Sequence, residues 1–229
     1  MTRPAPPGDG RRLLVPLYAH PAVNPGAWAA LTALTAAAPG PHAVVLNVAD
    51  GPGSRPDPHF RAAAGRLRAA GVRLLGYVDT AYGRRPPRAV VADVRRHRRW
   101  YDVDGVFFDQ AAAHAALLPR YRWLVMTARV LGARTAVLNP GTHPDPGYAA
   151  LADVLVTFEG TWEDYRRAGV PDWTADHPPG RFCHLVHGVP EGQQAQVARM
   201  AGARGAGVHC AVPGTGANPW CSAPLPVAR

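Results

Sequence analysis

Two carboxylates in this chain directly follow apolar segments that have the pattern of buried strands. Asp109 comes after Gly105-Val-Phe-Phe, and Glu159 comes after Val154-Leu-Val-Thr-Phe. A carboxylate is costly to place at such a position unless it has a purpose. A pair of carboxylates facing one cavity can cleave a glycosidic bond, with one protonating the leaving oxygen and the other attacking or stabilising the anomeric carbon. Many barrel enzymes carry acidic residues at strand ends, so the pair alone does not define the chemistry.

Polar and aromatic residues also occupy or adjoin the ends of other apolar segments. We predict that the aromatic ones stack on a ligand and that the histidines, amides and hydroxyls bind it; plain packing is the alternative for the aromatics. Asn47 and Asn139 are equally suited to capping the helices that follow them. His187 fits a structural histidine as well as a site residue. The candidate binding residues are Tyr18, His20, Asn47, Tyr77, Thr80, Tyr82, Gln110, Asn139, Trp162 and His187.

Eight short apolar segments alternate with segments of helical periodicity, which predicts parallel strands buried on both faces. Eight such units in 229 residues favour a compact (β/α)8 barrel, whose active sites lie at the carboxyl ends of the strands. A flavodoxin-like or Rossmann sheet needs fewer strands, and no GxGxxG or Walker A sequence follows any segment. The expected strands are Leu13–Tyr18, Ala43–Asn47, Arg73–Val78, Gly105–Asp109, Thr135–Asn139, Val154–Phe158, Phe182–His187 and Gly207–Ala211.

The domain organisation follows from the length and from the two ends of the chain. We expect one barrel domain over residues 13–229, preceded by an extended or disordered Pro/Gly/Arg-rich segment over residues 1–12. No secretory signal is visible, so the chain as given is expected in the cytoplasm, or outside the cell if a signal was trimmed. No apolar run approaches the roughly 18 residues that span a bilayer. The expected state is a monomer or a weak homodimer.

The charge balance is strongly basic, with 25 arginine and lysine residues against 16 acidic ones. All of the basic residues are arginine, and isoleucine is also absent, which is typical of a GC-rich bacterial genome. A net charge of +9 invites a nucleic-acid function, but no nucleic-acid motif accompanies it. The densest run lies around one predicted helix, so we interpret it as a solvated outer face that leaves an acidic ligand compatible with the charge.

Nothing in the sequence indicates a cofactor or a metal. Cys183, Cys210 and Cys221 are irregularly spaced, lack zinc-ligand spacing and fit idle reduced thiols. The histidines form no HxH or HExxH pattern.

Seven segments, in order along the chain, resemble the spherulin-4 (spherulation-specific family 4) proteins, also classed as glycoside hydrolase family 135. They are Val15-Pro-Leu-Tyr18 with Trp28; Leu46-Asn47, Gly51-Pro-Gly53 and Asp57; Gly76-Tyr-Val-Asp-Thr80 with Tyr82 and Arg85; Trp100 with Asp104-Gly-Val-Phe-Phe-Asp109; Leu138-Asn-Pro-Gly-Thr142; Ala152-Asp153; and Phe158-Glu159.

The resemblance implies a (β/α)8 barrel and, as in characterised fungal relatives, endo-cleavage of an α-1,4-linked N-acetylgalactosamine glycan. It places the family's acidic cluster on Asp109, the residue after it, and Glu159. This chain has Gln110 where the family usually has glutamate, and glutamine cannot exchange a proton in acid–base chemistry. Successive strand residues also point to opposite sides, so Asp109 and Gln110 should share the cavity only if the strand has already ended.

We therefore assign Asp109 as nucleophile or oxocarbenium stabiliser, Glu159 as general acid/base and Gln110 as a substrate contact. Two alternatives stay open. One is a barrel enzyme repurposed inside the cell for a lyase, isomerase or cyclase step on a small metabolite. The other is a carbohydrate-binding protein without catalysis. A long open groove favours a polymer, whereas a closed pocket favours a metabolite.

Overall fold

Eight parallel strands close into one barrel in the order in which they occur along the chain. The computed structural model describes residues 12–37 and 43–224. The strands are β1 Arg12–Leu17, β2 Ala43–Leu46, β3 Arg73–Asp79, β4 Gly105–Asp109, β5 Thr135–Leu138, β6 Val154–Thr161, β7 Phe182–His187 and β8 Val208–Ala211. The barrel closes where β8 pairs with β1, through Val208 beside Arg12 and His209 beside Leu13. The expected (β/α)8 barrel is thereby confirmed.

Helices connect the strands and form the outer layer. They are α1 Pro25–Ala37, α2 Pro58–Ala69, α3 Pro87–Tyr101, α4 Leu118–Val130, α5 Trp162–Arg167 and α6 Gln194–Ala203. Proline stands at the first or second position of α2, α3 and α4, where its missing N–H costs nothing. Between β5 and β6 the connection is a 3-10 turn, Pro146–Ala150. None of the described helices is long and apolar enough to cross a membrane.

Alternation along each strand divides the apolar residues between two sides of the barrel wall. On β4, Phe107 belongs to the same cluster as Val137 and Val156 of the next two strands, while Val106 and Phe108 pack in a second cluster with residues of α3 and α4. On β7, Cys183 and Leu185 face inward in the same way. The polar residue that ends an inward-facing series therefore lies in the mouth of the barrel, at the carboxyl ends of the strands.

Most expected strands agree with the observed bounds to within one residue, but β6 differs. It extends to Thr161, so Glu159 lies within the strand rather than after it. The expected N-terminal segment, residues 1–12, falls outside the described residues except for Arg12, which begins β1. Cys183 and Cys210 are buried free thiols and Cys221 is an exposed one.

The outer face of α3 carries the arginine run. Arg88, Arg95 and Arg99 are exposed. The buried Asp93 accepts hydrogen bonds from Arg85 and, at 3.2 Å, from Arg96. The arginines of α3 thus lie in the helical layer that surrounds the barrel.

Candidate active site

The two carboxylates reach the mouth by different local structures. Asp109 ends β4 in the inward series that includes Phe107. On β6, Val156 faces inward, so strict alternation would also turn Phe158 inward and Glu159 outward. A register shift between Val156 and Phe158 changes this outcome: Phe158 packs outward against Tyr165, with ring centroids 4.8 Å apart, and Glu159 turns into the barrel. The bulge therefore aims the second carboxylate at the first.

One side-chain amide joins the two carboxylates. Asn139 Nδ2 donates a hydrogen bond to Asp109 Oδ1 at 2.6 Å and another to Glu159 Oε2 at 2.5 Å. The Asn139 carbonyl accepts from the Gly141 backbone N–H at 3.0 Å, which fixes the orientation of the amide. Because both bonds share one nitrogen, Asp109 Oδ1 and Glu159 Oε2 lie no farther apart than the two combined bond lengths, about 5 Å.

Each carboxylate has a second donor from another side of the mouth. The Tyr77 hydroxyl donates to Asp109 Oδ2 at 2.8 Å, and the Trp220 indole N–H donates to Glu159 Oε1 at 3.0 Å. Both carboxylates therefore accept hydrogen bonds through both of their oxygens.

Burial dominates the electrostatics of the pair. It raises the pKa of Asp109, although the Tyr77 and Asn139 donors oppose the shift. Burial also raises the pKa of Glu159, and the negative charge of Asp109 raises it further. Tyr18 lies close enough that burial and the charges of both carboxylates raise its pKa well above the usual value. Both shifts favour the protonated form of the group concerned, and at Glu159 the charge of Asp109 adds to the effect of burial.

Gln110 enters the same cavity because β4 ends at Asp109. Its φ of 48° is left-handed, so the alternation of the strand no longer applies to it. Thr80 lies behind this turn and is fully buried. Its hydroxyl is 2.9 Å from the Asp109 carbonyl, 2.8 Å from the Gln110 carbonyl and 2.8 Å from the Tyr121 hydroxyl. Thr80 therefore supports the turn and cannot touch a ligand, which corrects its expected role as a binding residue.

A groove crosses the mouth in two lobes that share Asp109 and Glu159. The first, here called the Tyr82 lobe, has a volume of about 320 Å³ and is lined also by Tyr82, Gln110, Asn139, Pro140 and Gly141. The second, here called the Trp220 lobe, has a volume of about 410 Å³ and is lined also by Tyr18, Asn47, Asp50, Tyr77, His187 and the stretch from Gly216 to Trp220. The carboxylate pair thus lies where the two lobes meet.

Seven of the ten residues expected to bind a ligand line this groove; besides Thr80, the exceptions are His20 and Trp162. His20 Nε2 is 3.2 Å from Asp57 Oδ2, and its ring packs edge-on against Phe60. Trp162 is 9% exposed and packs with Tyr165 in the cluster outside the barrel. The expected stacking role of Trp162 does not fit this position, because its ring is covered by the protein.

Trp220 is the main groove residue that sequence reasoning missed. It lies in a short 3-10 turn after β8, and its carbonyl accepts a hydrogen bond from the Tyr18 backbone N–H at 2.9 Å. Its ring also packs edge-on against His187, with centroids 5.9 Å apart. The available signal was a tryptophan in a proline-rich segment directly after the last strand.

The described residues show no group of three or more His, Cys, Asp or Glu side chains that could hold a metal ion. What the groove contains instead is a pair of acids joined through hydrogen bonds to one amide, three further side-chain amides and several aromatic rings.

These features define a class: a single (β/α)8 barrel with a carboxylate pair at its mouth. The model of the spherulation-specific family 4 matches residues 12–211, and the chain belongs to that family. Spherulin-4 of Physarum polycephalum is 36% identical over 198 residues, an alignment that covers 81% of this chain and 58% of the relative. The chain therefore matches little more than half the length of that relative.

Solved structures agree with this assignment. The crystal structure of Aspergillus clavatus Sph3 in complex with GalNAc has a TM-score of 0.82 and 26% identity to this chain, and the match covers 93% of this chain and 92% of Sph3. A chitinase from Rhizomucor miehei has a TM-score of 0.55 at 10% identity, covering 91% of this chain and 97% of the chitinase; that likeness shows the fold alone. The relationship to Sph3 supports a carbohydrate-active function.

Proposed function

We propose that this protein is a glycoside hydrolase that cleaves an aminosugar glycan of the α-1,4-linked N-acetylgalactosamine type within the chain. The observation that carries the proposal is the pair Asp109 and Glu159, bridged by Asn139 at the junction of two lobes. A groove that continues on both sides of the pair suits a polymer, whereas a small metabolite would need a closed pocket. The complex of Sph3 with GalNAc supports an aminosugar as the bound unit.

The roles of the two acids follow from their surroundings. Asp109 accepts hydrogen bonds from Tyr77 and Asn139, and both favour its ionised form. Burial raises the pKa of Glu159, and the negative charge of Asp109 raises it further, although the Asn139 and Trp220 donors oppose the shift; the balance favours the protonated form of this group. An ionised Asp109 and a protonated Glu159 are the states that a nucleophile and a general acid require.

The reaction proceeds in two displacements at the anomeric carbon. In the first, the Asp109 carboxylate forms a bond to that carbon as the glycosidic C–O bond breaks, and Glu159 gives its proton to the leaving oxygen. In the second, Glu159 removes a proton from water, the water oxygen bonds to the anomeric carbon, and the Asp109 carboxylate leaves. The short distance between the carboxylates favours this retaining route, because an inverting enzyme needs room for a water molecule between acid and base.

Gln110 suits a contact with the substrate. Its side-chain amide carries both a donor and an acceptor, and it lines the Tyr82 lobe beside Asp109. An acetamido group presents the matching acceptor and donor. Tyr82 is 50% exposed at the edge of the same lobe, where its ring offers a stacking surface for a sugar.

The proposal is tested with the purified protein and α-1,4-linked N-acetylgalactosamine oligosaccharides of defined length. We expect cleavage within the oligomer with retention of anomeric configuration, measured by mass spectrometry and by NMR of the first product. Asp109→Asn and Glu159→Gln should each lower kcat by about 100-fold to 10,000-fold. Asp172→Asn, an exposed change in the loop that precedes β7, serves as the matched control and should retain the activity.

Two results would overturn the proposal. Activity that survives both active-site changes removes Asp109 and Glu159 from the mechanism. Binding of the oligosaccharides without any cleavage identifies a carbohydrate-binding protein instead. In that case, cleavage by the Gln110→Glu variant would show that the acid the family usually carries at this position supplies the missing proton transfer.

A further inference from the structure

The proposed reaction leaves several polar side chains of the Trp220 lobe without a role, and Asn47 and Asp50 are two of them. Asn47 is 91% buried, being only 9% exposed, and its Oδ1 accepts from the Gly51 backbone N–H at 2.9 Å. That bond leaves its amide nitrogen without a hydrogen-bond partner among the described residues, although Asn47 lines the cavity. An amide nitrogen that lines a cavity is available to donate a hydrogen bond to a ligand acceptor there.

Asp50 lies three residues farther along and lines the same cavity. Its side chain is exposed and makes no ion pair with any described residue. Its φ of 48° is left-handed, a conformation that costs free energy for a residue other than glycine and that occurs disproportionately at binding sites.

The charge of the groove is opposite to that of the chain. The protein carries a formal net charge of +9, yet none of the described residues that line either lobe is an arginine. The acidic residues there are Asp50, Asp109 and Glu159. The only basic group is His187, and burial lowers its pKa, so it is neutral near pH 7. A ligand in the Trp220 lobe thus meets negative charge, three aromatic rings and the side-chain amides of Asn47 and Asn218.

We propose that the Trp220 lobe binds a hexosamine unit whose 2-amino group is free and protonated, with Asp50 pairing with the ammonium and Asn47 donating to a hydroxyl of the same sugar. This inference rests on the proposed function, because it specifies which form of aminosugar the groove prefers next to the cleaved bond. It also separates the two lobes: the Tyr82 lobe, with Gln110, suits an acetamido group, whereas the Trp220 lobe suits an amine. The preferred substrate is accordingly a partly de-N-acetylated polymer.

The experiment compares two sets of α-1,4-linked galactosamine oligosaccharides of equal length, one fully N-acetylated and one partly de-N-acetylated. We expect the wild-type protein to favour the second set in kcat/KM by about threefold to fivefold, the effect of one partly exposed ion pair. Mass spectrometry of the products should place the free amines on one side of the cleaved bond. The preference should decrease with added salt and vanish at a pH above the pKa of the sugar amine.

Asp50→Asn tests the residue. We expect the preference for the de-N-acetylated set to disappear in this variant. Asp176→Asn changes the net charge equally in an exposed turn before β7 and should keep the preference. Equal kcat/KM values for both sets in the wild type, or an unchanged preference in Asp50→Asn, would overturn the inference.

The amine preference can be tested even if the protein proves not to be a glycoside hydrolase. If neither set is cleaved, titration calorimetry of the wild type and of Asp50→Asn with both sets still measures the preference as a ratio of Kd values. A preference that is present in the wild type and absent in the variant then supports the amine site in a binding protein. Equal Kd values for the two sets in the wild type reject it.

Discussion

The mouth of the barrel and its helical layer differ in charge and in backbone conformation. The outer helix α3 exposes Arg88, Arg95 and Arg99, and it is regular from Pro87 to Tyr101. The groove at the mouth has no arginine among its described lining residues. Five described residues other than glycine have a left-handed φ, and four of them, Asp50, Ala81, Tyr82 and Gln110, lie in loops at the mouth.

This difference shows that net charge describes the surface of the protein rather than its ligand. The basic composition is compatible with an acidic ligand, whereas the groove itself is lined by acidic residues and, as we propose, takes a neutral or cationic one. The residues with a left-handed φ also mark the mouth as the place of the site, because a folded protein retains such costly conformations where they serve a function. The residues that line the groove are therefore a better guide to the charge of a ligand than the net charge of the chain.

Two of the four aromatic residues predicted to stack on a ligand, Trp162 and Tyr82, give the largest expected difference between the regions. Trp162→Ala should lower the free energy of unfolding by about 3 kcal/mol, because it empties a buried site in the helical layer. Tyr82→Ala should change that free energy by no more than about 0.5 kcal/mol but raise KM for the oligosaccharides about fivefold through lost stacking. Urea unfolding and steady-state kinetics measure both, and Tyr82→Phe is the control that keeps the ring. A Trp162→Ala protein of normal stability with a raised KM would reverse the assignment.

A smaller effect is expected from the protonation of the carboxylate pair. The folded protein raises the pKa of Glu159, so folding takes up protons and the contribution of this group to stability grows as pH falls from 7 towards its usual pKa. We therefore expect the Tm of the wild type to rise relative to that of Glu159→Gln between pH 7 and pH 5. Each 1 kcal/mol corresponds to about 2–4 °C for a chain of this size. A constant Tm difference across this range would show that Glu159 is not buried beside an ionised Asp109.

The smallest effect is expected from the arginines of α3. Replacing Arg88, Arg95 and Arg99 together by glutamine should change kcat/KM on the oligosaccharides less than about twofold, because exposed charges away from the site are screened. The same change should weaken retention on a cation-exchange column. A large loss of kcat/KM would show that the helical layer takes part in substrate binding.

Much of the fold followed from local patterns. Each apolar run became a strand, and Asp109 and Asn139 lie in the mouth because each continues an inward-facing series by the two-residue alternation of its strand. The barrel interior needs no information beyond this alternation and the order of the segments.

The rest of the site depended on departures from regular structure. Glu159 reaches the mouth only through the register shift in β6, which no alternation predicts. Gln110 shares the cavity with Asp109 through a left-handed turn. Trp220 comes from the segment after β8 and contacts Glu159 across 61 residues of sequence, a contact that only the closed barrel creates. Thr80 and Trp162 have residue types suited to binding, but both side chains are buried. Thr80 supports the turn at Gln110, and Trp162 packs in the helical layer.

The amide that joins the two carboxylates has a particular neighbour in sequence. Asn139 is followed by Pro140, whose nitrogen carries no hydrogen. Asparagine usually deamidates when the next backbone nitrogen attacks its side-chain carbonyl and closes a succinimide ring, and a proline nitrogen cannot complete that step. Deamidation here would place a third acid between Asp109 and Glu159 and replace their shared donor by a negative charge. The order of two residues thus protects the centre of the groove from chemical ageing.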